Sequence, residues 1–288
     1  MPVQTISAAI SGDASTVVGS TGVGNRAFVY RGPGTYQAIA PIGGYTATAA
    51  AGVSGDGSVV GGWQYIPQSL ARQAFRWTAQ TGVQNLGVAR PGDTDSGVNA
   101  VSRDGATIVG GSYGAGSVGF VWRQATGMVA LPALPGSSGG SARGVTGDGS
   151  VIVGSADGVN HAVIWRNGQV SDLGLPPGSS FFSEADAVND LGTVVVGYSY
   201  DGASDHASIW TPSFGMEFLS DYLLRNGIQV PLGWTLLHAT AVSADGLTIA
   251  GWGSNASTGS EGFVVTIPAP SSLLALSVGA ILATRRRR

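Results

Sequence analysis

VSGDGSVVGG, running from Val53 to Gly62, decides the fold. Val53-Ser54 leads into Asp56-Gly57, a dipeptide whose glycine supplies the positive φ of a tight turn. Val59 and Val60 behind it are β-branched, so the chain continues as a short buried strand. The ten residues therefore read as strand, turn, strand. Five more stretches repeat them: ISGDASTVVG from Ile10, VSRDGATIVG from Val101, VTGDGSVIVG from Val145, VNDLGTVVVG from Val188 and VSADGLTIAG from Val242. Successive starts lie 43 to 54 residues apart, the period at which sheet-based repeats recur.

Eight to twelve residues after each closing glycine stands a second block, roughly [AG]-[FV]-x-W. Its copies are Ala27 to Tyr30, Ala74 to Trp77, Gly119 to Trp122, Ala162 to Trp165, Ala207 to Trp210 and Gly262 to Val265. Alternation puts the two aromatic positions on one face of a third strand. A V-x-x-L block follows in five units, as in GVQNLG (Gly82 to Gly87) and GMVAL (Gly127 to Leu131), and gives a fourth. Four short antiparallel strands in about 45 residues make one propeller blade. A small sheet cannot bury both faces alone, so neighbours must stack. The expectation is an all-β chain, with residues 1–266 forming a β-propeller of about six four-stranded blades; an open β-solenoid of similar hairpins is the alternative.

Two places break the pattern. Unit six ends after Val265 with no fourth strand, and Val3 to Ile10 reads as the first strand of unit one, so no strand is left to close the last sheet. The opening MPVQTISAAISGDAST also has no basic start and no long apolar run, unlike a signal peptide. Both features lead to the expectation that the natural chain begins upstream of Met1. Between Trp210 and Val242 about ten residues are added. Phe218, Leu219, Tyr222 and Leu223 recur there at helical spacing with Gly227 placed as a C-cap. This predicts one short amphipathic helix, capping the fold or lying over a binding site.

Composition narrows the chemistry. Of 288 residues 47 are Gly and only 11% are charged. There is no Cys and no Lys, which excludes disulfides, thiolate metal sites, cysteine nucleophiles and Schiff bases. Four of the 14 Arg are the last four residues, so the body carries 10 Arg against 17 acids, a net charge of -7. That sign argues against nucleic acid as a partner.

Residues 267–288 form a separate tail. Pro268-Ala269-Pro270 precedes an apolar run from Ser271 to Thr284, and Arg285, Arg286, Arg287 and Arg288 close the chain. Fourteen residues make about 21 Å of helix, short of a ~30 Å hydrocarbon core. The arginines behind the run hold that end in the cytoplasm and act as a membrane stop. This places the repeats outside the cytoplasm.

The tail resembles the PEP-CTERM sorting signal of Gram-negative bacteria, a Pro-Glu-Pro motif followed by a hydrophobic segment and an Arg cluster. Here Ala269 replaces the central Glu. The resemblance implies an exosortase-type processing enzyme as a partner, and a membrane anchor through the C-terminal segment before processing. The body resembles the HAF family of extracellular repeats, named for a His-Ala-Phe block: His161-Ala162 and His206-Ala207 keep His-Ala, and Ala27-Phe28 and Ala74-Phe75 keep Ala-Phe. That resemblance implies export without assigning an activity.

Candidate sites are few. Asp13, Asp56, Asp104, Asp148 and Asp245 recur once per unit, as turn residues that bond nearby backbone N–H groups should. DTDSG (Asp93 to Gly97) lacks the third ligand and closing Glu of a calcium loop. His161, His206 and His238 stand in separate units and predict no joint metal site. No Ser stands in a recognisable triad order, and no phosphate loop or sequence-paired acids occur, so no catalytic residue and no cofactor are expected. Trp77, Trp122, Trp165 and Trp210 share one repeat position and read as fillers between units. Trp63 and Trp252 instead follow the closing glycine of a second strand, at a loop mouth where exposed rings stack on sugars. They are the candidate carbohydrate contacts.

The sequence thus predicts an exported, non-catalytic repeat protein of the cell envelope or exopolysaccharide matrix, structural or ligand-binding, with surface polysaccharide as a partner. The alternative is an extracellular propeller enzyme acting on glycans.

Overall fold

A computed structural model describes residues 5–21, 26–69 and 71–268, with side chains from residue 8 onward. Ala269, Pro270, the apolar run and Arg285 to Arg288 lie outside these residues, and Pro268 is exposed. No helix among the described residues is long and apolar enough to cross a membrane.

Each repeat forms its own antiparallel sheet. Sheet one holds β1 (Thr5–Ile10), β2 (Val17–Thr21), β3 (Ala27–Tyr30) and β4 (Tyr36–Ile39). Sheet two holds β5 (Thr48–Val53), β6 (Val59–Tyr65), β7 (Arg72–Thr78) and β8 (Gly82–Gly87). Sheet three holds β9 (Asp95–Val101), β10 (Thr107–Tyr113), β11 (Ser117–Arg123) and β12 (Gly127–Ala130). Sheet four holds β13 (Gly139–Val145), β14 (Val151–Asp157), β15 (His161–Arg166) and β16 (Gln169–Gly174). Sheet five holds β17 (Phe182–Val188), β18 (Val195–Tyr200), β19 (Asp205–Thr211) and β20 (Gly215–Phe218), followed by helix α1 (Leu219–Arg225). Among the described residues sheet six holds β21 (Trp234–Val242), β22 (Thr248–Asn255) and β23 (Gly259–Thr266). Strands pair in sequence order throughout, as tight turns require.

The chain divides into two compact units, Met1–Ile152 with Trp165–Gln169 and Val153–Ile164 with Val170–Arg288. In the first, Val18, Val29 and Ile39 of sheet one bury against Val60, Phe75 and Trp77 of sheet two. Val59, Ala74 and Leu86 of sheet two likewise bury against Ile108, Phe120 and Trp122 of sheet three. In the second, Val196 and Ile209 of sheet five meet Ile249, Phe263 and Val265 of sheet six, with Leu219 and Leu223 of α1 added. A sheet therefore turns its Phe-x-Trp face to the sheet before it and its β-branched face to the sheet after it. Burying each such aromatic ring contributes about 2–3 kcal/mol.

The turns explain the motif. In five units the Ser or Thr hydroxyl donates to the Asp two residues on, at 2.5–2.7 Å, as in Ser11–Asp13 and Thr146–Asp148. The same oxygen accepts the N–H five residues on, as Ser54 does from Val59 at 2.9 Å. The carboxylate accepts the N–H between, that of Ser58 for Asp56 at 2.9 Å. These bonds to the charged form lower the Asp56 and Asp148 carboxyls to about 2. Unit five lacks Asp at this place, and Asn189 does both tasks, its amide oxygen accepting from Thr193 and Val194 at 2.8 Å. Adjacent turns are also joined: Asp13 N–H donates to Gly55 O at 3.1 Å and Gly55 N–H to Arg103 O at 2.7 Å.

A second stitch joins sheets at their other end. Ser96 of β9 accepts the Ala74 N–H at 3.0 Å and donates to Gly87 O at 2.7 Å. Thr48 treats Ala27 and Ile39 in the same way, and Ser183 treats Ala162 and Gly174. In these three units the alanine that opens the Phe-x-Trp block thus has its N–H satisfied by the next sheet.

The expected helix forms over Leu219–Arg225. Gly227, at φ 77°, ends it, with Ile228 N–H reaching Leu223 O at 2.9 Å and Gly227 N–H reaching Leu224 O at 3.0 Å.

Candidate functional site

One repeat position follows the closing glycine of every second strand. It holds Ser20, Trp63, Gly111, Ser155, Tyr198 and Trp252. Pleating puts it on the face that a sheet turns to its successor, so its surroundings depend on what packs there.

Trp63 is covered. The Arg72 guanidinium lies 5.4 Å from the centre of its ring and 5.9 Å from that of Tyr113. Asp95 fixes the arginine, accepting from Nη2 at 3.1 Å, Nε at 3.3 Å and the Arg72 backbone N–H at 2.9 Å. The indole N–H is buried and has no hydrogen-bond partner.

Trp252 is open, with 39% of its surface exposed. One ring face stacks on His238 at 4.5 Å and 11°. His238 in turn lies 3.9 Å from the Tyr198 ring, and its Nε2 is 3.2 Å from Asp205 Oδ2. Phe182 extends the row, 5.4 Å from Tyr198. A bulge at Leu236/His238 swings the histidine into this position.

The rest of that sheet face is open as well. Strand register aligns Thr248 with Thr266, Ala250 with Val264, Trp252 with Gly262 and Ser254 with Ser260. The four rows form a strip about 20 Å long at ~3.4 Å per residue. Val264 is 43% exposed, whereas at the same repeat position Val29, Val121, Ile164 and Ile209 are buried and Arg76 is half-buried. Ala250 is half-buried where Val18, Val109, Val153 and Val196 are buried. Ser254, Ser260 and Thr266 are exposed. The strip thus offers a flat indole, small apolar groups beside it and hydroxyls on either side. That combination suits the C–H face and the hydroxyl edge of a pyranose.

Several other titratable groups are held locally. His161 Nδ1 lies 2.8 Å from Asp172, and His206 Nε2 lies 2.9 Å from Asp201. Backbone N–H groups of Ser204 and Ala203, with His206, lower the Asp201 carboxyl. Asp93 takes Arg90 and Ser112, and Asp95 takes Arg72, so the DTDSG carboxylates are tied to their own sheet and its neighbour. Among the described residues no three His, Asp or Glu are grouped as metal ligands.

Of the two tryptophans singled out in the sequence, each stands in a different unit: Trp63 under an arginine, Trp252 on an open strip. Sequence reasoning missed Ala250, Ser254, Ser260 and Val264; alternation outward from Trp252 reaches the first two, and the register of the neighbouring strand adds the others. His238 and Asp205 join through a bulge, which leaves no such signal.

No family model matches the chain. No curated protein matches it in sequence. Solved structures do resemble it. A putative TolB from Agrobacterium tumefaciens is 14% identical with a TM-score of 0.54, over 76% of this chain and 81% of that one. TolB from Acinetobacter baumannii is 18% identical with a TM-score of 0.51, over 73% of this chain and 52% of that one. A structure from a study of two prolyl endopeptidases is 12% identical with a TM-score of 0.64, over 98% of this chain. This chain spans only 42% of that protein. At such identities the likeness shows the fold alone, an all-β, propeller-like repeat of small antiparallel sheets.

Proposed function

We propose that the chain is an exported, non-catalytic repeat protein of the bacterial surface or exopolysaccharide matrix, and that it binds glycan through the open strip around Trp252. Its PEP-CTERM-like tail serves as an export address read by an exosortase-type enzyme. The observation that carries the reading is the exposure of Trp252 and Val264 at repeat positions whose counterparts are buried or half-buried. The hydroxyl rows and the His238–Asp205 pair beside the indole support it. Trp63, whose ring lies under Arg72, is the weaker of the two candidate contacts.

The test is retention on exopolysaccharide extracted from the native cells, together with fractionation. Wild-type protein is expected in the envelope or medium and on the polysaccharide, with Trp252→Ala losing at least tenfold in retention and Trp63→Ala little. Equal retention of Trp252→Ala, or an intact cytoplasmic chain, would contradict the proposal.

A further inference from the structure

Strand register puts the β17–β18, β19–β20 and β21–β22 turns at one end of sheets five and six, all within the second unit. Asp190 N–H donates to Ala244 O at 3.1 Å across two of these turns. α1 runs back to the same end, since the Arg225 guanidinium lies 3.8 Å from the centre of the Phe214 ring in the β19–β20 turn. Three large apolar side chains, Leu191, Phe214 and Leu224, are 61 to 74% exposed there. Leu191 stands where each of the other five units has Asp, so a charged turn tip has become apolar in sheet five alone.

The chain leaves the described residues from this end. Ile267 N–H donates to Leu247 O of the β21–β22 turn at 2.7 Å. Its side chain is buried in one core with Leu219 and Leu223 of α1. Four residue steps separate Ile267 from Ser271, where the apolar run begins, a reach of at most about 14 Å.

We infer that this end is the face the protein lays on a lipid bilayer, with Leu191, Phe214 and Leu224 entering the headgroup region beside the tail. The inference rests on the reading of the tail as a membrane anchor and adds an orientation to it. Leucine and phenylalanine flanking an arginine are side chains that settle at a bilayer surface. Three apolar groups hold a free protein only weakly. A tether of about 14 Å keeps them at high effective concentration against the lipid, so few suffice. The opposite ends of the same two sheets, marked by Phe181 before β17 and Leu232 before β21, then point away from the membrane.

The absence of Cys lets a single label be placed at will. Leu191→Cys, Phe214→Cys, Leu224→Cys, Phe181→Cys and Leu232→Cys are each labelled with a fluorophore in the full chain. Phe181 and Leu232 are themselves more than half exposed, which makes them matched controls. The chains are reconstituted into phosphatidylcholine vesicles that carry a nitroxide on some headgroups. This lipid has no net charge for Asp190, Asp221 or Asp245 to repel. Insertion is read separately, by flotation after an alkaline wash. The first three labels are expected to be quenched at least threefold more than the two controls. Equal quenching at all five, or the reverse order, overturns the inference while the anchor stands. A chain that fails to float overturns both. Leu191→Asp with Phe214→Ser, added to Leu224→Cys, should at least halve its quenching and leave flotation unchanged. Undiminished quenching there would mean that the tether alone sets the distance, and also overturns the inference.

Discussion

The turn glycine Gly57 lies so close to Thr16 of the preceding sheet that a Cβ on it would come within 2.7 Å of the threonine Cβ. Gly149 stands in the same relation to Thr107, and Gly105 and Gly246 meet Val59 and Val194 at 2.9 Å. The Asp-Gly of the motif therefore serves two ends. Its glycine takes φ near 70° to make the hairpin, and its missing side chain lets the next sheet seat. Ala14 occupies the corresponding place in sheet one at φ 58°.

Gly57→Ala should cost about 2–4 kcal/mol in chemical denaturation, from positive φ together with overpacking. Ala14→Gly should leave stability equal or raise it, since the strain at φ 58° is relieved. A loss at Gly57 no larger than ~0.5 kcal/mol, the usual range for surface changes, would mean that the turns do not seat as described.

Asn189 replaces a Ser and an Asp together. Asn189→Ser alone should destabilise by about 1 kcal/mol, because Leu191 offers no carboxylate for the Thr193 N–H. Adding Leu191→Asp should rebuild the turn of the other units and recover most of the loss. A double-mutant cycle measures the coupling, expected at about 1 kcal/mol.

Acid should loosen the turns. The Asp56 and Asp148 carboxyls are lowered from 3.8 to about 2 by bonds to their ionised forms. A depressed folded-state value means that the stabilisation is complete above 3.8 and is lost as pH falls toward 2. Asp13 and Asp245 shift in the same direction. Thermal melts should therefore be flat above pH 5 and fall steeply between about 4 and 2, and the fall should be reduced in Asp56→Asn/Asp148→Asn.

Equivalent positions on different sheets should respond differently to charge. Ile209→Asp buries a carboxylate between sheets five and six and should cost more than about 4 kcal/mol. Val264→Asp, at the same repeat position of sheet six, should cost under about 0.5 kcal/mol. A large loss at Val264 would show that something covers the strip.

Much of this was legible in the sequence because the repeat states it six times. Asp-Gly set the hairpins, Phe-x-Trp the inter-sheet face, and the halt after Val265 the three strands that the sixth sheet has among the described residues. The spacing from Phe218 to Gly227 located the helix to within a residue. The turn chemistry was legible only in part, since reading VNDLG against VSGDG concealed the exchange by which one amide oxygen does the work of a hydroxyl and a carboxylate. Trp63 and Trp252 look alike in sequence because they hold one repeat position. Only the three-dimensional neighbours separate them, since Arg72 reaches Trp63 from another strand and pairs with Asp95 of the next sheet. The bulge that brings His238 between Tyr198 and Trp252 depends on backbone geometry that no residue pattern announces.

The most direct test is oxidation of the seven tryptophans by N-bromosuccinimide, mapped by mass spectrometry with and without the native polysaccharide. Trp252 should oxidise first and should be the residue that the polysaccharide protects, while Trp77, Trp122 and Trp165, all buried, react late in both samples. Protection at another tryptophan, or a Trp252 that reacts equally in both, would contradict glycan binding on the face of the sixth sheet.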